Sequence, residues 1–139
     1  MGFEIFGTAG DAGLKAEAAG LDALLGDLAL GFSELSSGGA IKPLAARTFS
    51  LEAGSPQALL VNFLNELVFL SDTEGFLPAA AEIRTLASDG GYLLEASLKG
   101  ETAVFDRHPR GLLVKAATYH KLKVENTNGR WRAEVILDI

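Results

Sequence analysis

Two short stretches at opposite ends of the chain hold the residues best suited to chemistry. Near the start, GTAGDAGLK (7–15) follows the run FEIF and sets one acid, Asp11, among three glycines at spacing three. At the other end stands Asp138, followed by Ile139 with its α-carboxylate. Glycines just past a strand raise the possibility of a phosphate-cradling loop. The pattern, however, is G-x-x-G-x-x-G rather than G-x-G-x-x-G, and a strand rather than a helix follows it. The Gly-Lys-Ser/Thr ending of a P-loop is also missing. On pattern alone the stretch reads as a tight turn in which Asp11 hydrogen-bonds nearby backbone amides. Asp138 and Ile139 offer two carboxylates and a carbonyl within two residues. If Asp11 comes near them, this set of hard oxygen donors suits Mg²⁺ or Ca²⁺ rather than zinc. The plainer reading is a solvated strand end.

Other chemistries find little support. The chain has no cysteine, which excludes disulfides, thiolate metal sites and cysteine nucleophiles. Of the two histidines, His108 in DRHPRG reads as a turn residue and His120 as a packed or edge residue on an apolar strand face. There is no G-x-S-x-G and neither histidine has an evident acidic partner, so Ser-His-Asp catalysis is not expected. Lys115, Lys121 and Lys123 share a strand face that Glu125 and Glu134 partly neutralise. A net charge of -6 argues against direct stable nucleic-acid binding. No stretch approaches the roughly 18 apolar residues of a membrane helix, and no signal peptide opens the chain. A cytoplasmic protein of one domain, residues 1–139, is expected.

The elements that must position these acids can be read from periodicity. FEIF (3–6) and LKAEA (14–18) read as short strands flanking the glycine stretch. In GLDALLGDLALGFSEL (20–35), Leu21, Leu24, Leu25, Leu28, Phe32 and Leu35 fall at helical spacing. Gly26 and Gly31 within it read as close-packing positions. SSGG (36–39) ends that helix, and 41–53 looks extended. SPQALLVNFLNELVFL (55–70) opens with Ser55 as N-cap and Pro56 at the first helical position. DTEGF (72–76) closes it, with Gly75 as C-cap. AEIRTLAS (81–88) and YLLEASLKG (92–100) flank the turn DGG. HPRG (108–111) reads as a further turn. Last, VKAATYHKLKVEN (114–126) and RWRAEVILDI (130–139) flank Asn128-Gly129, a two-residue hairpin turn.

The last hairpin has an internal check. With Asn128-Gly129 as the loop, Glu125 faces Arg132 and Lys123 faces Glu134, while Val124 faces Ala133 and Leu122 faces Val135. Charges meet opposite charges and apolar meets apolar, as a half-buried ladder requires. Continued regularly, the register sets His120 against Leu137 and Tyr119 against Asp138. Asp138 then lies on the polar face with Glu134 and Arg132. Lys115 would lie four residues beyond Tyr119, over ~10 Å from Asp138. The fold class expected is α+β: a mainly antiparallel sheet with two helices packed on one face.

Taken together, GTAGDAGLKA, LLVNFLNELVFLSDTEGFLP, VKAATYHKLKVE and WRAEVILDI resemble the archease family, in that family's order and over essentially the whole chain. The most specific pieces are the VKA-x-TYH-x-L strand and the ending Leu-Asp-Ile. The resemblance implies a small cytoplasmic, non-catalytic activator of an RtcB-type RNA ligase, serving tRNA splicing and RNA repair. Such activators promote guanylylation of the ligase and multiple turnover. The resemblance also implies an α+β fold with a divalent-cation site (Ca²⁺ or Mg²⁺) built from acids near both chain ends. These acids fall on Asp11 and Asp138, and the family's functional lysine on Lys115. The histidine of the family's His-Thr-Ala-Asp motif is replaced here by Thr8. Two other readings of the same residues stand beside it. One is a metal-dependent hydrolase using these carboxylates to activate water; the other is a metal-free interaction domain.

Overall fold

The computed structural model describes residues 2–8, 10–37, 40–102 and 111–139, omitting the Thr8 side chain. Eight strands and two helices follow in the order β1 (Phe3–Thr8), β2 (Asp11–Ala18), α1 (Leu21–Ser36), β3 (Ala45–Ala53), α2 (Pro56–Glu74), β4 (Phe76–Ser88), β5 (Gly91–Thr102), β6 (Ala116–Ala117), β7 (Lys123–Thr127) and β8 (Arg130–Asp138). The α+β class holds, with every strand pairing antiparallel. The strands divide into two sheets rather than one. A five-stranded sheet has the order β1-β2-β8-β6, with β7 also on β8, and a three-stranded sheet has the order β3-β5-β4. Both helices contact both sheets. The expected HPRG turn and His108 lie outside the described residues.

The helices form where caps and apolar spacing coincide. The Ser55 side chain accepts a hydrogen bond from the Ala58 amide at 3.1 Å, Pro56 follows at N1, and Gly75 ends α2 in the left-handed conformation at φ 68°. Both predicted ends of the helix core therefore hold, although β4 begins at Phe76, inside the stretch expected to be turn. Along α1, Leu21, Leu24, Leu25, Leu28, Phe32 and Leu35 are all buried. Each such side chain contributes about 1.5–3 kcal/mol of burial free energy. Gly31 is a close-packing position: a Cβ there would lie 3.1 Å from both Phe3 and Leu14. Gly26 is looser, with the Ala81 carbonyl at 3.8 Å.

Side-chain bonds fix α1 along β4. The Ser33 hydroxyl donates to the Pro78 carbonyl, and the Thr85 hydroxyl donates to the Asp22 carboxylate. Packing of α2 on β3 brings the Phe49 and Phe63 rings to 6.0 Å between centroids. Beneath the five-stranded sheet, Ala12, Leu14, Ala16 and Ala18 of β2 and Ala133, Val135 and Leu137 of β8 point into this core. Their neighbours in sequence therefore take the opposite, outward face. Among the described residues no helix is long and apolar enough to cross a membrane.

Candidate functional site

The glycine stretch is a hairpin, not an open loop. Thr8 pairs with Asp11, Gly7 with Ala12 and Phe6 with Gly13, so that the ladder runs up to the turn itself. Gly10 takes φ 85° there, a value L-residues rarely adopt. Gly7 and Gly13 are strand residues. A Cβ on Gly13 would lie 2.2 Å from the Phe6 ring, so its missing side chain is what lets Phe6 lie across the sheet. Asp11 is consequently the first residue of β2 and not a turn residue. Among the described residues no hydrogen bond or ion pair engages its carboxylate, which corrects the expectation that it ties nearby amides. The tight geometry tolerates this because the backbone pairing itself closes the turn.

β2 then carries Asp11 to the far end of the chain. It pairs with β8 without interruption from Ala18 opposite Trp131 to Asp11 opposite Asp138. Directly opposed residues in an antiparallel pair have Cα atoms about 4.5–5.5 Å apart. Asp11 is half-buried, Asp138 exposed, and both project from the outward face. Ile139 follows, its side chain packed against the core. The two acids expected from opposite chain ends thus stand side by side, with the Ile139 main chain next to them. Three or more His, Cys, Asp or Glu side chains do not converge anywhere among the described residues. Any cation here would rest on these two carboxylates, main-chain oxygens and water. Such a donor set fits a hard cation that keeps part of its hydration, as Mg²⁺ does, or one with flexible oxygen coordination, as Ca²⁺ has.

On the other side of β8 the regular hairpin breaks. Lys123 faces Glu134, Val124 faces Ala133 and Glu125 faces Arg132, as the charges dictate. Upstream, Leu122 donates its amide to the Tyr119 carbonyl in a turn, and Lys121 adopts φ 53°. Pairing resumes with Ala117 opposite Leu137 and Ala116 opposite Asp138. The expected partners of Asp138, Leu137 and Val135 are therefore displaced: Tyr119 and His120 are exposed and Leu122 is half-exposed, outside the ladder. The excursion takes up three residues, which draws Lys115 in. Its amide donates to the Asp138 carbonyl at 2.7 Å, instead of lying beyond 10 Å as a regular ladder would require. Lys115 is exposed, so its ammonium extends from the backbone that holds Asp138.

Asn65, in the middle of α2, secures this arrangement. Its carboxamide oxygen accepts from the Ala117 amide at 2.8 Å, and its NH₂ donates to the Ala117 carbonyl at 3.4 Å. A polar side chain amid the apolar run LLVNFLNELVFL was the only signal for this role. The pair acts as one rung of a ladder, satisfying both backbone groups of a strand edge.

Farther along the same outward face the charges compensate one another. Glu4, Lys15, Glu134 and Lys123 form a row across four strands. Glu17 accepts from Arg130 at 2.8 Å and from Arg132 at 3.0 Å. The Arg130 hydrogen bond, with help from Arg132, holds the Glu17 carboxyl below its usual range. A shallow groove of about 450 Å³ lies here, lined by Lys15, Glu17, Lys123, Arg132 and Glu134. It contains neither Asp11 nor Asp138, and within it Glu17 is paired with Arg132.

Residues 3–139 match the model of the archease protein family (MTH1598/TM1083). "Protein archease" of Thermococcus kodakarensis is 32% identical over 131 residues, covering 93% of this chain and 92% of the relative. The solution structure of Methanobacterium thermoautotrophicum protein 1598 superposes with a TM-score of 0.81 at 27% identity, over 99% of each chain. A crystal structure described as an archease, possible chaperone, from Thermotoga maritima shares the fold at a TM-score of 0.62 and 17% identity, over 98% of this chain and 96% of that one. Family model and full-length relatives agree on one conclusion: the chain belongs to the archease family.

Proposed function

We propose that the chain is a non-catalytic activator of an RtcB-type RNA ligase in tRNA splicing and RNA repair. In this reading it acts through a divalent cation, Ca²⁺ or Mg²⁺, held by Asp11, Asp138 and the main-chain oxygens of Ile139. The supporting observation is the pairing of Asp11 with Asp138 across β2 and β8. Two like charges directly opposed destabilise a sheet, and no cationic side chain among the described residues lies in ion-pair contact with either. A bound cation removes that repulsion and supplies positive charge at an exposed edge of the molecule.

The chain's own residues would then divide the work. Asp11 and Asp138 hold the cation where a ligase can reach it. Asn65, by holding Ala117 opposite Leu137, and the Lys115 amide, by bonding the Asp138 carbonyl, keep the end of β8 in place, and the Lys115 ammonium meets the partner. The acidic surface fits a partner whose own surface is basic for RNA, by charge complementarity. That partner would be met in the cytoplasm, and the activator itself would neither hold RNA stably nor join it. The cation's role at the ligase is to help position metal and GTP for guanylylation.

The test is a multiple-turnover ligation assay with the cognate ligase, GTP and RNA bearing a 3′-phosphate or 2′,3′-cyclic phosphate. Wild-type protein should stimulate turnover; Asp11→Ala and Asp138→Ala should not. Undiminished stimulation by both variants would rule out the metal-site mechanism. Phosphoester turnover by the isolated chain would instead favour a hydrolase.

A further inference from the structure

β1 is the outer strand of the five-stranded sheet, and among the described residues Glu4 is its one guard against edge pairing. β4 is held against α1 through Pro78 and Thr85, β6 is capped by Asn65, and β7 carries Lys123 and Glu125. β3 carries Arg47, paired to Glu74 at 2.6 Å. β1 reads Phe-Glu-Ile-Phe-Gly-Thr, with no proline, lysine or bulge. Protected edges are the rule in soluble sheets, because an open one presents unpaired N–H and C=O groups to any extended chain. The Glu17 amide donates to the Gly2 carbonyl, which sets the phase of the β1–β2 ladder. By the alternation of an antiparallel pair, Phe3, Ile5 and Gly7 then turn their backbone groups away from β2. Ile5 also stays 40% exposed, although it stands opposite Leu14 on the core side of the sheet.

We propose that β1 pairs antiparallel with β1 of a second copy of this chain, across a two-fold axis at Ile5, joining two sheets into one of ten strands. This surface lies apart from the acid pair and is independent of the ligase reading. The register follows from charge. Centred on Ile5, it sets Phe3 against Gly7 of the second copy, so that the three residues whose backbone groups point away from β2 satisfy one another. It also sets Glu4 against Phe6 of the second copy. The Lys15 ammonium stands 5.1 Å over the Phe6 ring, so each Glu4 meets a cation from the other copy. A shift that centred the axis on Glu4 would oppose two like charges, which an antiparallel pair disfavours. The two Ile5 side chains cover each other on the core side.

Because the chain has no cysteine, single-cysteine variants report the register directly. Ile5→Cys places two thiols on directly opposed residues, with Cα atoms about 5.5 Å apart, inside the range a disulfide spans. Gly7→Cys separates them by four residues, about 13 Å. Under mild oxidation Ile5→Cys should form a covalent dimer and Gly7→Cys should stay monomeric. Analytical ultracentrifugation of the wild type should show a reversible dimer, weakened on the order of tenfold by Glu4→Arg and restored by adding Lys15→Glu. A wild type that stays monomeric across the concentration series overturns the proposal. So does a dimer that cross-links equally at positions 5 and 7, or one that ignores Glu4→Arg.

Discussion

The outward face of the five-stranded sheet treats charge in two opposite ways within about 13 Å. At one level Lys15 stands between Glu4 and Glu134, and Glu17 is gripped by two arginines. Four residues along the same strands, Asp11 faces Asp138 and no cationic side chain among the described residues is in contact with either. The strands, their pairing and their exposure to water are shared, so the difference lies in the side chains alone. Opposite charges in register add a little stability; like charges in register subtract it. A sheet that pairs its charges at one end and opposes them at the other is not stabilised by the second arrangement. The acid pair therefore makes sense as a binding feature, whereas the ladder beside it makes sense as structure.

That contrast can be broken from the acid end first, where the largest effect is expected. Asp138→Asn should lower Mg²⁺ or Ca²⁺ affinity by roughly a hundredfold or more by calorimetry, since even outer partners of a metal ligand matter at the 10–100-fold level. Next comes Asn65→Ala, which strands the Ala117 amide at a buried position. It should cost about 1–3 kcal/mol in a denaturant titration and weaken ligase stimulation without touching either acid. Third, Asp11→Asn in the presence of chelator should raise stability by about 0.2–1 kcal/mol, because it removes like-charge repulsion. A melting temperature that falls instead would mean that the pair is not repulsive in the free protein.

The smallest effect is expected at the paired end. The Glu17 carboxyl is held below its usual range by Arg130 and Arg132. A depressed folded-state value means that the stabilisation is present above the ordinary glutamate range and is lost as pH falls through the depressed value. Glu17→Gln should therefore differ from wild type slightly at neutral pH and low salt. The difference should vanish in acid and also in high salt, which screens exposed pairs.

How far the sequence disclosed this arrangement depends on which force sets each part. Lys123, Val124 and Glu125 found their partners on β8 correctly because a two-residue turn and three complementary pairs all demanded one register. Both Asn128, at φ 53°, and Gly129, at φ 81°, adopt the left-handed values such a turn needs. The register failed at Leu122 because the break rests on Lys121, whose positive φ carries no glycine or proline to announce it. Helix ends were legible wherever Ser55, Pro56 and Gly75 supplied local chemistry. The division into two sheets was not, since strand periodicity says which face is buried but not which distant strand lies alongside. Asp11 was recognisable as an acid worth following, and the turn around it was read too loosely. Its position opposite Asp138 rests on long-range pairing that no local pattern encodes; only the family resemblance pointed there.

The excursion between Ala117 and Lys123 has a consequence for how the ladder absorbs changes of length. Both of its ends are pinned to the same strand, one through Ala116 and Ala117 and the other through Lys123. Asn65 adds a third anchor from a different element. Extra or missing residues between those anchors become slack in a surface turn instead of a shift of the ladder. Lys115 thereby keeps its seat beside Asp138 when the turn at 119–122 changes length, while Thr118, whose amide and hydroxyl both donate to the Ile136 carbonyl, belongs to the anchor.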